Sequence, residues 1–88
     1  VKTGVKEKVI FEELDGEVVL LELGSGQYYK LNRSGSHIWS LIREHGDTEL
    51  VEQALAAEYQ IDRDRAHEDV AELVGQLESL GLIVVDRP

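Results

Sequence analysis

The 88-residue chain has no cysteine, no methionine and one proline. Without thiols it can form no disulfide staple, thiolate zinc site, iron–sulfur cluster or cysteine nucleophile, so packing alone must hold it together. No apolar run approaches the ~18 residues that a membrane span requires, and Val1-Lys2-Thr3-Gly4 lacks the apolar core of a signal peptide, so a soluble, cytoplasmic protein is expected. The chain opens on Val1 rather than methionine, which points to a trimmed start. Positive charge is also scarce, with 9 Lys/Arg against 18 Asp/Glu and a net charge of -9. Residues 1–44 hold six basic and seven acidic residues, while residues 45–88 hold three and eleven, so the second half alone carries −8. Such a surface repels phosphate, which argues against DNA, RNA and anionic membranes as partners. A chain this short has room for one domain, here residues 1–88, with a thin core and no large catalytic architecture.

The residues themselves divide into an alternating first third and a helical remainder, the order of an α+β fold. Val5, Val9 and Phe11 fall on one face of a first strand, with Lys6, Lys8 and Ile10 on the other. Asp15-Gly16 is a tight hairpin turn, because both residues tolerate positive φ. The return strand, Glu17 to Leu23, is apolar on both faces and is expected to be central and covered on two sides. Gly24-Ser25-Gly26 makes a second turn into a short strand, Gln27 to Leu31, which completes a meander and lies at its edge. Asn32 or Ser34 caps a first helix that runs to about His45 and stops at Gly46. Asp47-Thr48 caps a second helix, and a third begins after Ile61-Asp62 and ends at Gly81, followed by an extended tail, Leu82 to Val85.

On the wheel of the third helix, Ala66, Val70, Leu73, Leu77 and Leu80 span about 80°, and Val74 and Ala71 widen the stripe to about 180°. One core needs roughly 100°, so the surplus is expected to cover a second surface. The polar side is acidic: Glu68, Asp69, Glu72 and Glu78.

Catalytic and metal-binding patterns are missing. His37, His45 and His67 lack partners at the spacing that places two ligands on one helix face, and read as exposed or capping residues. Asp62-x-Asp64 lacks the glycine and closing glutamate of a calcium loop and reads as a helix start. Gly24-x-Gly26 precedes a strand, so it cannot cradle phosphate at a helix N-terminus. The serines lack a nucleophile-elbow context, and Glu12-Glu13 point to opposite sides of a strand. The expectation is a non-enzyme with no cofactor and no metal. What stands out is the tyrosine pair on the edge strand, where Tyr29 and Leu31 can cover Trp39 while Tyr28 and Lys30 stay available. An edge with one charged residue and no proline can dock another chain.

Asp15-Gly16-x-Val18-Val19-Leu20-Leu21, Ser25-Gly26-x-Tyr28-Tyr29-x-Leu31-Asn32 and Gly35-x-x-Ile38-Trp39 together resemble the PqqD-like family of precursor-peptide recognition elements. The resemblance extends through Ala57, Tyr59 and Ile61-Asp62 to Leu80-Gly81-Leu82-Ile83, over roughly residues 9 to 83. It implies a three-stranded antiparallel meander followed by a three-helix bundle, like a winged helix-turn-helix. It also implies non-catalytic binding of the leader segment of a ribosomally made precursor peptide, added as a strand to the edge of the third strand beside the third helix. Gln27, Tyr28, Tyr29, Lys30 and Leu31 match the leader-pairing strand, and Val70, Leu73, Val74 and Leu77 fall on the helix that walls the groove. Asp69 or Glu72, if on its rim, would favour a leader carrying Lys or Arg. The basic arm at the start most resembles the stand-alone proteins of lasso-peptide pathways, which implies a separate leader peptidase and a modifying cyclase as partners. A pyrroloquinoline quinone pathway chaperone of the same family is the alternative, and a winged-helix DNA-binding regulator a more distant one. A monomer or weak homodimer is expected, self-pairing being possible through the same edge.

Overall fold

The computed structural model describes residues 1–87. In chain order the elements are β1 (Lys2–Val5), β2 (Val9–Leu14), β3 (Glu17–Glu22), β4 (Gln27–Lys30), α1 (Arg33–His45), α2 (Thr48–Tyr59), α3 (Arg63–Ser79) and β5 (Ile83–Asp86). Strands β2, β3 and β4 form the antiparallel meander in that order. Asp15 and Gly16, at φ 55° and 80°, make the first turn, as the side-chain chemistry of the pair demands. The second turn is held by Glu22, whose carboxylate accepts the Gly24 N–H at 3.0 Å and the Ser25 N–H at 2.6 Å. Hydrogen bonding from the Ser25 side chain first, and then from the Ser25 and Gly24 N–H groups, holds the Glu22 carboxyl below its ordinary pKa.

Two expectations about the strands need correction, and a third, the extended tail, gains a partner. The first strand does not run from Val5 to Phe11: the chain bends at Lys6–Lys8, and the piece before the bend is a separate strand. That piece, the presumed basic arm, is β1. The extended tail is likewise a strand, β5, and the two pair antiparallel with Lys2 opposite Asp86 and Val5 opposite Ile83. The Lys6 N–H continues this ladder by donating to the Leu82 carbonyl at 3.2 Å. Secondly, β3 is covered on one face only. Val18 and Leu20 are buried beneath the helices, whereas Val19 and Leu21 belong to an outer face where Ile10, Leu14, Leu23 and Tyr28 are each half or more exposed.

All three helices begin on side-chain caps. Asn32 accepts from the Gly35 N–H, Asp47 from Glu49 and Asp62 from Arg65, each relieving one of the orphan donors of a first turn. Gly46, at φ 64°, closes α1 by donating its N–H to the Ile42 carbonyl. The core is a single cluster in which Val18 and Leu20 of β3 meet Ile38, Trp39 and Ile42 of α1, Val51 and Leu55 of α2, and Val70 and Leu77 of α3. Phe11 packs edge-on against Trp39 at 5.7 Å between ring centroids. The surplus of the α3 stripe has its second surface in β5, against which the helix packs.

Candidate functional site

Position in the sheet makes β4 an edge: β3 is its neighbour on one side, and no strand pairs with it on the other among the described residues. The Leu31 N–H donates to the Val18 carbonyl at 2.8 Å, which sets the alternation of the ladder. Leu31 and Tyr29 turn their main-chain groups to β3, so Tyr28 and Lys30 turn theirs outward. Side chains alternate with the same period of two, between the two faces of the sheet. Tyr29, opposite Leu20, packs on the core together with Leu31, while Tyr28, opposite Leu21, stands on the outer face at 71% exposure.

One buried hydroxyl fixes the end of this strand. Ser36 Oγ accepts the Val18 N–H at 2.7 Å and donates to the Leu31 carbonyl at 3.2 Å. It takes the place of one rung between β3 and β4 and ties α1 to both. Nothing in the sequence pattern distinguishes it from the other serines, because its role depends on the helix arriving at the sheet.

Across from the open edge runs α3. Between them lies a groove of about 450 Å³, with Lys30 and Leu31 on one wall, Asp69, Glu72, Leu73 and Gln76 on the other, and Asn32, Ser34, Gly35 and Ile38 at its base, with Arg65 at one end. A smaller, more apolar chamber of about 230 Å³ adjoins it, lined by Leu55, Tyr59 and Ile61, and shares Ser34, Ile38, Arg65 and Asp69 with the groove. The Arg65 Nε donates to Asp69 Oδ1 at 3.4 Å along the boundary between the two. Lys30 leans the other way, its ammonium 3.2 Å from Glu17 Oε1.

The structure therefore brings Lys30 and Leu31 together with Leu73, and continues the same edge through Gln27, Tyr28 and Tyr29. It does not bring Val70, Val74 or Leu77 into the groove. Val70 and Leu77 are at most 1% exposed in the core, and Val74 lines a shallow cleft on the opposite side of α3, toward Val85 of β5. The reason is rotational: the 40° and more that separates these residues from Leu73 on the helix turns them to other neighbours. The groove residues missed by the sequence reading, Asn32, Ser34, Gly35, Ile38, Arg65 and Gln76, had been assigned to caps and core or left unassigned. Only the acidity of Asp69 and Glu72 marked that side of α3.

Away from the groove, Glu52 is buried between His67 Nδ1 at 2.9 Å and Arg63 at 3.6 Å, and His37 pairs with Glu58. These pairs pin α2 to α3 and α1 to α2. Among the described residues no three His, Asp or Glu side chains gather as a metal site, and no helix is long and apolar enough to cross a membrane.

A small antiparallel sheet whose β4 edge is open and faces a helix across a groove has the geometry of a peptide-recognition domain that works by strand addition. The model of one family, described as coenzyme PQQ synthesis protein D (PqqD), matches residues 17–83, and the chain belongs to that family. The structure is similar to one described as "TbiB1 in Complex with the TbiA(beta) Leader Peptide", with 33% identity, a TM-score of 0.87, and coverage of 96% of this chain and 98% of that one. It is also similar to "Lasso peptide synthetase B1 complexed with the leader peptide", with 27% identity, a TM-score of 0.85, and coverage of 97% and 100%. No curated protein matches the sequence.

Proposed function

We propose that the chain is a non-catalytic carrier that binds the leader segment of a precursor peptide as an added strand on β4 and hands it to separate enzymes of a lasso-peptide pathway. The observation that carries this reading is the pairing of an open edge with a groove. The outward main-chain groups of Tyr28 and Lys30 offer up to four hydrogen bonds, each contributing about 0.5–1.5 kcal/mol net. Ordering a disordered leader costs roughly 2–5 kcal/mol or more. Burial against Leu31, Ile38 and Leu73, and in the chamber of Leu55, Tyr59 and Ile61, supplies what the backbone bonds do not. Two proteins of similar structure are described in complex with leader peptides, which supports a leader peptide as the ligand of this chain.

The delivery half of the reading rests on the outer sheet face. Ile10, Leu14, Val19, Leu21, Leu23 and Tyr28 form a largely apolar surface on an otherwise strongly acidic chain, interrupted by Glu12 and bordered by the Lys30–Glu17 pair. Contiguous apolar surface of this kind marks a protein partner. A leader strand on β4 would extend the face, so a leader peptidase seated there would meet the peptide directly. A duplex-binding role fits poorly, because α3 presents Asp64, Glu68 and Glu72 to solvent.

Titration of the protein with its fluorescently labelled cognate leader tests the binding half. A Kd below about 10 µM is expected, and Tyr28→Ala combined with Leu73→Ala should weaken it at least about tenfold. No binding in that range, or unchanged affinity in the double variant, would overturn the assignment.

A further inference from the structure

Hydrogen bonds from a sheet edge are blind to sequence, so discrimination among peptides must come from the side chains around the groove. Four of these are charged: Lys30, Arg65, Asp69 and Glu72. Three already have partners, Arg65 with Asp69 at 3.4 Å and Lys30 with Glu17 at 3.2 Å. Glu72 enters no ion pair among the described residues, and its helix neighbour Leu73 forms part of the apolar wall.

In the free protein Glu72 is solvated and costs nothing. A strand laid between β4 and α3 would strip water from its carboxylate, and a carboxylate desolvated without a partner is unfavourable. The remaining polar group on that wall, the Gln76 amide, cannot neutralise it. A Lys or Arg on the incoming strand can, through a charge-assisted hydrogen bond, with its aliphatic stem lying along Leu73. The −9 of the whole chain acts in the same direction, attracting a basic segment and repelling an acidic one.

We infer that Glu72 is a specificity-determining residue, at which the groove selects a basic side chain in the bound peptide. This rests on the leader-binding reading and assigns that site a sign of charge, beside the apolar selection exerted by the smaller chamber.

The test uses the TbiA(beta) leader peptide, fluorescein-labelled, as probe, with a set of variants in which each residue in turn becomes Lys or Glu. Anisotropy titrations should reveal a position where Lys binds about three- to tenfold better than Glu, the range of a partly desolvated pair. Glu72→Gln should flatten that contrast and Glu72→Lys invert it. Glu68→Gln changes the net charge of the same helix equally but lies outside the groove, so it should preserve the contrast. A contrast that survives Glu72→Gln, that falls equally in Glu68→Gln, or that is present at no position would overturn the inference. A probe set that fails to bind at all, or binding that is indifferent to Lys30→Pro on the edge strand, would instead overturn the leader-binding reading and this inference with it.

Discussion

Ser36 shows how much one buried hydroxyl can organise. It replaces a rung of the β3–β4 ladder, so Ser36→Ala leaves the Val18 N–H and the Leu31 carbonyl unpaired in a dry environment. A loss of about 1–3 kcal/mol in urea denaturation is expected, together with weaker peptide binding because the end of β4 loses its tether. Two exposed carboxylates act differently, through pH. Glu22 closes the β3–β4 turn, and Glu78 grips Arg87 beyond β5 in a bidentate pair at 2.7 and 2.8 Å. In both cases the hydrogen bonds hold the carboxyl below its ordinary value of 4.5, while Arg87 is pushed up and stays charged. A carboxylate whose folded pKa is depressed contributes stability that is complete above the unfolded value and lost as pH falls through the folded one. These two anchors should therefore add nothing to the pH dependence between neutrality and 4.5, and should weaken below it. Melting curves across this range should show a shallower acid decline in Glu22→Gln and Glu78→Gln than in the parent protein.

At the scale of the element, β4 separates its two kinds of main-chain group by residue. The Lys30 N–H faces the open edge and the Tyr29 N–H faces β3, so proline at the two positions should have opposite consequences. Lys30→Pro is expected to keep its circular dichroism spectrum and lose peptide affinity, while Tyr29→Pro should lower the midpoint of unfolding first. Equal effects of both on stability would count against strand addition at this edge. The turns and caps of the neighbouring elements were legible in the sequence, since Asp15-Gly16, Asn32, Asp47, Asp62 and Gly46 act on groups within four residues of themselves. Which flank of α3 faces the groove was not legible. The apolar stripe was wide because it serves the core and β5 together, and a helical wheel records which residues share a face without recording what lies opposite.

The whole molecule is acidic yet keeps one face largely apolar, with Glu12 set between Ile10 and Leu14. That outer sheet face was expected to be covered, because alternation in β3 is lost when both faces are apolar. It is open instead, because an apolar pattern on both faces of a strand does not say what covers each of them. Ile10→Lys combined with Leu14→Lys should leave the fold and the leader affinity intact, as both side chains are more than half exposed and away from β4. Under the proposed delivery role, stimulation of a leader peptidase should fall at least about tenfold, read as cleavage of a precursor peptide with and without the variant. Undiminished stimulation would move the enzyme contact to another surface.

The absence of thiols, the surplus of carboxylates, the meander and the three capped helices follow from the sequence alone, because composition is additive and turns and caps are local. The tertiary structure decided the rest. Closure of β1 on β5 joins residues 2 and 86, whose pairing has no signal short of the folded chain. Only packing turned Leu73 to the groove and Val70, Val74 and Leu77 away from it, left Glu72 as the groove charge with no ion pair among the described residues, and placed Ser36 between two strands.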